Sequence, residues 1–166
     1  HGVIITHRGT EVSTLSGNIT IHGQGGGRGT SSLNVGVSVV ASGDQPDGAT
    51  VIAGGSGNLT IDGRGGTLAE GDLNSGVVVG GGASASVGSG NLQITGVGGG
   101  SADSGSNHGV DVNTSGVIFA HSQGSVTVTG TGGGDISGEN NHGVLISTGG
   151  KIETDQTGII SVHGTG

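Results

Sequence analysis

One phrase returns five times along this chain at a nearly fixed spacing, and that repetition limits the folds open to it. Its clearest copies are Asn107-His-Gly-Val-Asp-Val and Asn141-His-Gly-Val-Leu-Ile. The Gly of each copy lies 34, 40, 33 and 34 residues after the one before, at Gly2, Gly36, Gly76, Gly109 and Gly143. An array with such a period buries its core between neighbouring repeats rather than inside one repeat. The period therefore predicts a solenoid.

Each repeat contains two clear strand patterns and a weaker third. The opening phrase places Val110 and Val112 on one face, and the later pattern Gly-x-apolar-x-apolar-x-Gly recurs in every repeat, as at residues 57–63. Strict alternation over so few residues, with β-branched residues at the apolar places, is typical of a half-buried strand. Between the two lies a weaker strand, visible at residues 117–119 and 151–153 and less clearly at 50–52. No stretch has the spacing of an amphipathic helix.

These patterns predict an all-β fold, a parallel β-helix (β-solenoid) with three short strands in each coil. We expect about five coils of about 34 residues in a single array over residues 1–166. The repeats are then residues 1–33, 34–73, 74–106, 107–140 and 141–166. The second repeat is longer because of an insertion at about residues 42–48, Ser-Gly-Asp-Gln-Pro-Asp-Gly. These residue types are typical of a surface loop.

Stacking of coils also predicts columns of equivalent residues at the corners. The Asn of the opening phrase forms one such column, Asn34, Asn74, Asn107 and Asn141. We interpret it as a structural ladder, in which each amide bonds its neighbours and the turn backbone. Pairs of Gly such as Gly65 and Gly66 form another column, and there we expect backbone angles that only Gly adopts at little cost.

Composition excludes several classes of protein. The chain has 43 Gly among 166 residues, one Phe, and no Cys, Met, Trp or Tyr, so Val, Ile and Leu must fill its interior. A net charge of -8 with only four Lys and Arg residues disfavours a nucleic-acid partner. No apolar run approaches the roughly 20 residues of a membrane helix, so we expect no membrane insertion. The absence of Cys fits a secreted bacterial protein.

The acidic residues do not predict an enzyme. Hydrolysis of a polysaccharide needs two carboxylates that face one cleft, whereas the 12 acids of this chain do not recur at equivalent positions. We therefore predict solvated surface acids and no catalytic residue. The insertion is the candidate ligand loop, because Asp44 and Asp47 lie together in it.

No resident cofactor is predicted, although two kinds of metal site stay open. The motif of calcium-binding β-rolls, with a carboxylate on every coil, is absent, which leaves a single Ca²⁺ at Asp44 and Asp47 or at Asp135 and Glu139. His108 and His142 occupy one repeat position on adjacent coils, about 4.8 Å apart. Two such imidazoles could bind a divalent transition metal. The interpretation we favour is that they are exposed ladder residues beside a corner.

The combination of Asn-x-Gly-Val-x-Val with Gly-x-Leu-x-Ile-x-Gly-x-Gly-Gly resembles the repeat regions of large bacterial surface and secreted proteins. These are Gly-rich proteins of the filamentous-haemagglutinin and autotransporter adhesin type. The resemblance covers essentially the whole chain, but its motifs specify a fold rather than an activity. It implies a right-handed parallel β-helix that is extracellular or on the bacterial cell surface and acts as a stalk, adhesin or fibre.

Three hypotheses of function follow. The first is a structural or adhesive extracellular β-solenoid, a stalk or self-assembling fibre segment. Since neither end of the sequence has a polar cap, we expect its partners to be copies of itself end to end or flanking repeats of a longer chain, with surface glycans as a further partner. The second is a glycan- or calcium-binding module that uses the 42–48 loop. The third and least favoured is a polysaccharide-active enzyme.

Overall fold

The chain forms a stack of β-coils. The computed structural model describes residues 1–42, 47–101, 103–134 and 138–166, which form fifteen β-strands and no helix. The strands lie in three five-stranded sheets, and the chain visits each sheet once per coil. The predicted all-β solenoid of about five coils with three strands each is therefore confirmed. Within the described ranges, no helix is long and apolar enough to cross a membrane.

Each coil contributes one strand to each sheet. In chain order the strands are β1 (Val3–Thr6), β2 (Glu11–Thr14), β3 (Ile19–Gln24), β4 (Val37–Val40), β5 (Thr50–Ala53), β6 (Leu59–Arg64), β7 (Val77–Gly80), β8 (Ser84–Val87), β9 (Asn91–Val97), β10 (Val110–Val112), β11 (Val117–Ala120), β12 (Ser125–Thr131), β13 (Val144–Ile146), β14 (Lys151–Thr154) and β15 (Ile160–Thr165). Sheet A consists of β1, β4, β7, β10 and β13, sheet B of β2, β5, β8, β11 and β14, and sheet C of β3, β6, β9, β12 and β15.

All neighbouring strands are parallel and pair at equivalent repeat positions. Val77 pairs with Val37 on one side and with Val110 on the other, and Leu59 pairs with Leu92. The register holds on both sides of the insertion, because β4 stays paired with β1 and β7 while β5 stays paired with β2 and β8. Extra residues between β4 and β5 therefore leave the coil itself unchanged.

The core is a set of aliphatic columns between the three sheets. On sheet C the inward residues Leu59, Ile61, Leu92 and Ile94 are no more than 1% exposed, while the residues between them face outward. Each such burial contributes about 1.5–3 kcal/mol to folding. Because every column continues from coil to coil, the core is thin in cross-section but unbroken along the stack.

Sheet B contains two strands that the sequence patterns do not mark. These are β2 and β8, whose sequences are Glu-Val-Ser-Thr and Ser-Ala-Ser-Val. Ala85 of β8 occupies an inward, fully buried position that pairs with Val51 of β5. Because this inward residue is small and its outward neighbours are Ser, the alternation of apolar and polar residues is weak in β8. A pattern based on Val and Ile therefore does not detect this strand.

The paired glycines are needed for close approach rather than for backbone angle. Gly65 and Gly66 do not have positive φ, so the expectation that this corner requires angles special to Gly is wrong. A Cβ on Gly65 would collide with the carbonyl oxygen of Asn74, and one on Gly66 with the carbonyl oxygen of Gly26. Adjacent backbone segments therefore touch here, and any side chain would separate them.

The two end coils present an open cross-section of the core. In the fifth coil, the inward residues Ile146, Ile160 and Val162 are 46%, 42% and 42% exposed. In the first coil, the inward Val12 is 36% exposed. The strands of both end coils pair on one side only. Each end therefore exposes apolar side chains together with unpaired backbone groups.

Candidate functional site

The Asn column of the opening phrase joins successive coils by hydrogen bonds. The backbone N–H of Asn34 donates to Oδ1 of Asn74 at 3.1 Å, and the N–H of Asn74 donates to Oδ1 of Asn107 at 2.8 Å. The N–H of Asn107 donates to Oδ1 of Asn141 at 2.9 Å. Asn74 and Asn107 are fully buried, and Nδ2 of Asn107 donates to Oγ of Ser104 at 3.0 Å. The side-chain amides of these two Asn therefore form hydrogen bonds within the corner of the coil.

A second Asn column was missed by the sequence reasoning. Asn18, Asn58 and Asn91 lie at the start of β3, β6 and β9, and the N–H of Asn58 donates to Oδ1 of Asn18 at 2.9 Å. The N–H of Asn91 donates to Oδ1 of Asn58 at 2.8 Å, and the hydroxyl of Ser125 donates to Oδ1 of Asn91 at 2.6 Å. The signal was the Gly-Asn-apolar triplet that begins three of the five later strand patterns. This column is exposed.

The candidate ligand loop is described only in part. Asp44 lies outside the described residues. Asp47 is exposed, and its Oδ2 lies 3.6 Å from Nε of Arg8, with side-chain exposures of 65% and 69%. An ion pair as exposed as this one contributes little to stability. It nevertheless places a positive charge where a bound calcium ion would need negative ones.

The other candidate metal ligands are described only in part. Asp135 lies outside the described residues, and Glu139 is exposed in the turn before Asn141. Across the parts of the chain that the structure describes, no group of three or more His, Cys, Asp or Glu side chains is placed to hold a metal ion.

His108 and His142 form a stacked pair. Their ring centroids are 5.4 Å apart and the ring planes differ by 9°. Ring nitrogen lone pairs lie in the plane of the ring, so in parallel rings they run side by side rather than converge on one metal ion. His108 is only 5% exposed, so its interpretation as an exposed ladder residue is wrong, whereas His142 is exposed.

Asp111 lies on β10, three residues after His108, and burial raises the pKa of its carboxyl group. Two neighbours lower that pKa. Nδ2 of Asn113 donates a hydrogen bond to Oδ2 of Asp111 at 2.6 Å, and His108 lies nearby. Burial lowers the pKa of His108, although Asp111 opposes this effect. The prediction that the acids are solvated is therefore wrong for Asp111.

Two polar atoms of this cluster are buried and lack a hydrogen-bond partner. They are Oδ1 of Asp111 and Nδ1 of His108. An unsatisfied buried polar group costs about 1–3 kcal/mol, so the pair is energetically expensive. Such atoms point to a binding role more strongly than the solvated acids elsewhere on the surface.

Asp111 also lines a groove of about 240 Å³ on the outer face of sheet A. Leu33, Leu73 and Val78 form apolar walls, and His1 lies on the first coil while Asp111 lies on the fourth. We term this site the sheet A groove. In the sequence, the signal for this groove was Val78. It is an apolar residue at an outward position, where a solvent-exposed face would carry a polar residue.

Two leucines of the groove have unfavourable backbone angles. Leu33 and Leu73 have φ of 60° and 64°, and the equivalent Ser106 and Asn140 have φ of 55° and 60°. The left-handed region costs an ordinary residue about 1–2 kcal/mol, whereas Asn enters it more readily. Both leucines are also substantially exposed, at 56% and 44%. Two coils thus place a strained, exposed Leu where other coils place a polar residue.

A larger depression, of about 580 Å³, lies on the outer face of sheet C. Nδ1 of His22 lies 3.0 Å from Oδ2 of Asp62 there, and both side chains are well exposed. Nε2 of Gln24 donates to the carbonyl oxygens of Gly25 and Gly65 at 3.2 and 3.1 Å. These groups are satisfied by one another or by the backbone, so the smaller sheet A groove is the better candidate site.

Comparison with known proteins supplies no relative whose role could be transferred to this chain. No protein family, curated protein or solved structure matches it. Its function must therefore be inferred from its own geometry.

Proposed function

We propose that this chain is a structural β-solenoid, a stiff segment of a stalk or fibre in an extracellular or cell-surface bacterial protein. The observation that carries the proposal is continuous pairing, because each of the three sheets runs through all five coils. At about 4.8 Å per coil, the stack is about 24 Å long. A further coil would extend the sheets and the core together, so length grows by repetition of one interface.

The end coils support a role in extended assemblies. Their half-exposed inward residues and one-sided strands match the surface that each inner coil presents to its neighbour. The partners that fit are further coils, supplied by flanking repeats of a longer chain or by copies of this one. Covering Ile160 and Val162 in this way would extend the aliphatic columns already present.

Electron microscopy of the purified chain tests self-assembly. We expect concentrated protein to form filaments, and Ile160→Glu to prevent them because it places a charge in the open core cross-section. Ser161→Glu is the matched control, since Ser161 lies on the same strand but faces outward. Filaments that persist in Ile160→Glu, or that disappear equally in both variants, would contradict stacking through the end coils. Uniform short rods of the unmodified chain would instead favour covalent continuation.

The alternative is a module that binds a glycan or calcium through the 42–48 loop. It predicts that deletion of this loop abolishes binding of Ca²⁺ while circular dichroism and the rod shape stay unchanged. The structural role predicts the same assemblies with or without the loop, and with or without a chelator. The ion pair between Asp47 and Arg8 favours the structural role.

A further inference from the structure

We propose that copies of this chain stack head to tail, with the fifth coil of one copy paired to the first coil of the next in the register of the inner coils. This contact is termed the head-to-tail junction. It rests on the structural role proposed above and names the partner that covers the exposed end coils, a second copy of this chain. The edge strands β13, β14 and β15 of one copy would pair with β1, β2 and β3 of the next.

The aliphatic columns of the core continue across this junction. The pairing register, followed from coil to coil on sheet C, places Ile19 and Ile21 of one copy opposite Ile160 and Val162 of the other. Ile160 and Val162 are each 42% exposed, whereas the members of these columns in the three inner coils are no more than 1% exposed. A second copy would therefore bury aliphatic side chains against neighbours of the same kind.

An ion pair matches the two ends on the outer face of sheet B. The outward column that begins at Glu11 ends at Lys151, so these two residues lie opposite each other across the junction. Nζ of Lys151 lies 3.4 Å from Oε1 of Glu153 in its own chain, and both side chains are well exposed, at 58% and 46%. Glu153 falls opposite the uncharged Ser13. Unlike charges therefore meet on this sheet and like charges do not.

Charge and symmetry favour head-to-tail contact over a two-fold contact. Residues 1–33 carry two Arg and one Glu, whereas residues 141–166 carry one Lys and two acids, so the end coils have net charges of opposite sign. Contact between two first coils or two fifth coils would join like charges. A two-fold axis perpendicular to the stack would also exchange two of the three sheets, so at most one sheet edge could meet its own counterpart. Head-to-tail contact continues all three sheets and does not close, which gives a filament.

Strand lengths disfavour a head-to-tail contact that is rotated by one corner. The end strands of sheet C, β3 and β15, have six residues each, whereas the other end strands have four or three. Rotation would place β15 against the shorter β1 or β2 and leave backbone groups of β15 unpaired. The register of the inner coils matches the long edge with the long edge.

Disulfide trapping tests the polarity and the register, because the chain itself has no Cys. In the junction, Thr20 of one copy lies opposite Ser161 of the other, at the strand spacing of about 4.8 Å that a disulfide can bridge. Within one chain the two residues lie four coils apart, at about 19 Å. We expect the double variant Thr20→Cys/Ser161→Cys to form a ladder of covalent multimers under mild oxidation, which a reductant removes.

Matched controls separate the alternatives on denaturing, non-reducing gels. Each single Cys variant should stay monomeric, since head-to-tail stacking never places a residue opposite its own copy. Thr20→Cys/His163→Cys moves one Cys two residues along the same face, to a Cα separation of roughly 8 Å, and should cross-link at least about five-fold less. Dimers of either single variant, or equal cross-linking by the two double variants, would overturn the proposal.

Charge reversal tests the ion pair. Glu11→Lys or Lys151→Glu should raise the lowest protein concentration that gives filaments in electron microscopy about three-fold, and the two changes together should restore it. No recovery in the combined variant would rule out this pair. Filaments in which Thr20→Cys/Ser161→Cys does not cross-link would overturn the junction while the structural role stands. A chain that forms no filaments at any concentration would overturn self-assembly, and this junction with it.

Discussion

Single residues on the outer face of sheet A are held in states that cost free energy. Leu33 and Leu73 have positive φ, and Asp111 and His108 each carry a buried atom without a partner. Strained and unsatisfied groups persist only where the surroundings enforce them, and they concentrate at binding sites. Their clustering on one face gives two predictions that involve no ligand.

Relief of the strain at Leu73 should stabilise the chain. We expect Leu73→Asn to raise the free energy of unfolding by about 0.5–1 kcal/mol, because Asn adopts the left-handed region more readily than Leu. The matched control is Leu68→Asn, since Leu68 is 60% exposed in the same connection and lacks positive φ. Urea denaturation measures both variants. An equal change in both would show that the backbone angle at Leu73 is not the cause.

His108 should make stability depend on pH. Its pKa in the folded chain lies below the ordinary value of 6.5, so on acidification the unfolded chain binds a proton first. Its contribution to stability is therefore complete above pH 6.5 and is lost as the pH falls through the folded pKa. Asp111 acts with the opposite sign and at lower pH, because its raised pKa adds stability as the pH falls toward 3.8. His142 and Asp111 are the titratable neighbours of His108.

Urea denaturation across a pH series checks this dependence. His108→Gln should lower stability overall but flatten its decline on the acidic side of neutrality. His163→Gln, which changes an exposed His of the last strand, should keep the decline of the unmodified chain. A decline of unchanged slope in His108→Gln would rule out this residue as its source.

At the scale of elements, the two Asn columns hold the corners of the coils with unequal strength. Asn74 is fully buried, and its Oδ1 accepts from both the backbone N–H and Nδ2 of Asn34. Oδ1 of Asn58 accepts the equivalent bond, from the backbone N–H of Asn91, in an exposed corner. Water can replace the lost partner more easily at the exposed corner than at the part-buried donors of Asn34.

Truncation of the two Asn should therefore have different costs. We expect Asn74→Ala to reduce the free energy of unfolding by about 2–3 kcal/mol, because it removes a fully buried amide and the acceptor of two part-buried donors of Asn34. Asn58→Ala should cost less than about 1 kcal/mol. Chemical denaturation of the two variants side by side measures both losses in the free energy of unfolding. Losses of equal size would mean that burial does not decide the strength of these ladders.

The elements differ in how far the sequence predicts them. Sheets A and C follow from the alternation of Val, Ile and Leu, since these residues face inward in every coil. Parts of sheet B do not, because Ala85 fills an inward place with a side chain too small to mark it. The sheet A groove was not predicted, because every position of the strand patterns was expected to face either the core or the solvent. Val78 and Asp111 share an outward column in neighbouring coils, and only the folded chain shows that this column is partly covered.

At the scale of the whole molecule, stability should grow with the number of coils. Each coil contacts only its neighbours, so an added coil contributes its own interface without changing the others. The two end coils are the least buried, as the exposure of Ile160 and Val12 shows. Joining two chains in register should convert two open ends into an interior interface.

A tandem fusion tests this growth. A copy of residues 66–74 placed between Gly166 and a second His1 preserves the spacing from the last strand of one coil to the Asn of the next. We expect one continuous rod of about twice the single length, with a higher Tm than the single chain. The control is the same fusion with this linker shortened so that the register is lost. Small-angle scattering gives the length, and an unchanged Tm with two separate rods would contradict the expectation.

The insertion in the second coil has a practical consequence. Nine residues separate β4 from β5, against three between β7 and β8, and neither strand shifts its pairing. This corner therefore tolerates insertions, because the length of the loop does not change the geometry of the coil. Foreign peptides grafted there would be displayed at a fixed height on a rigid support, and a row of such coils would act as a molecular ruler with addressable marks.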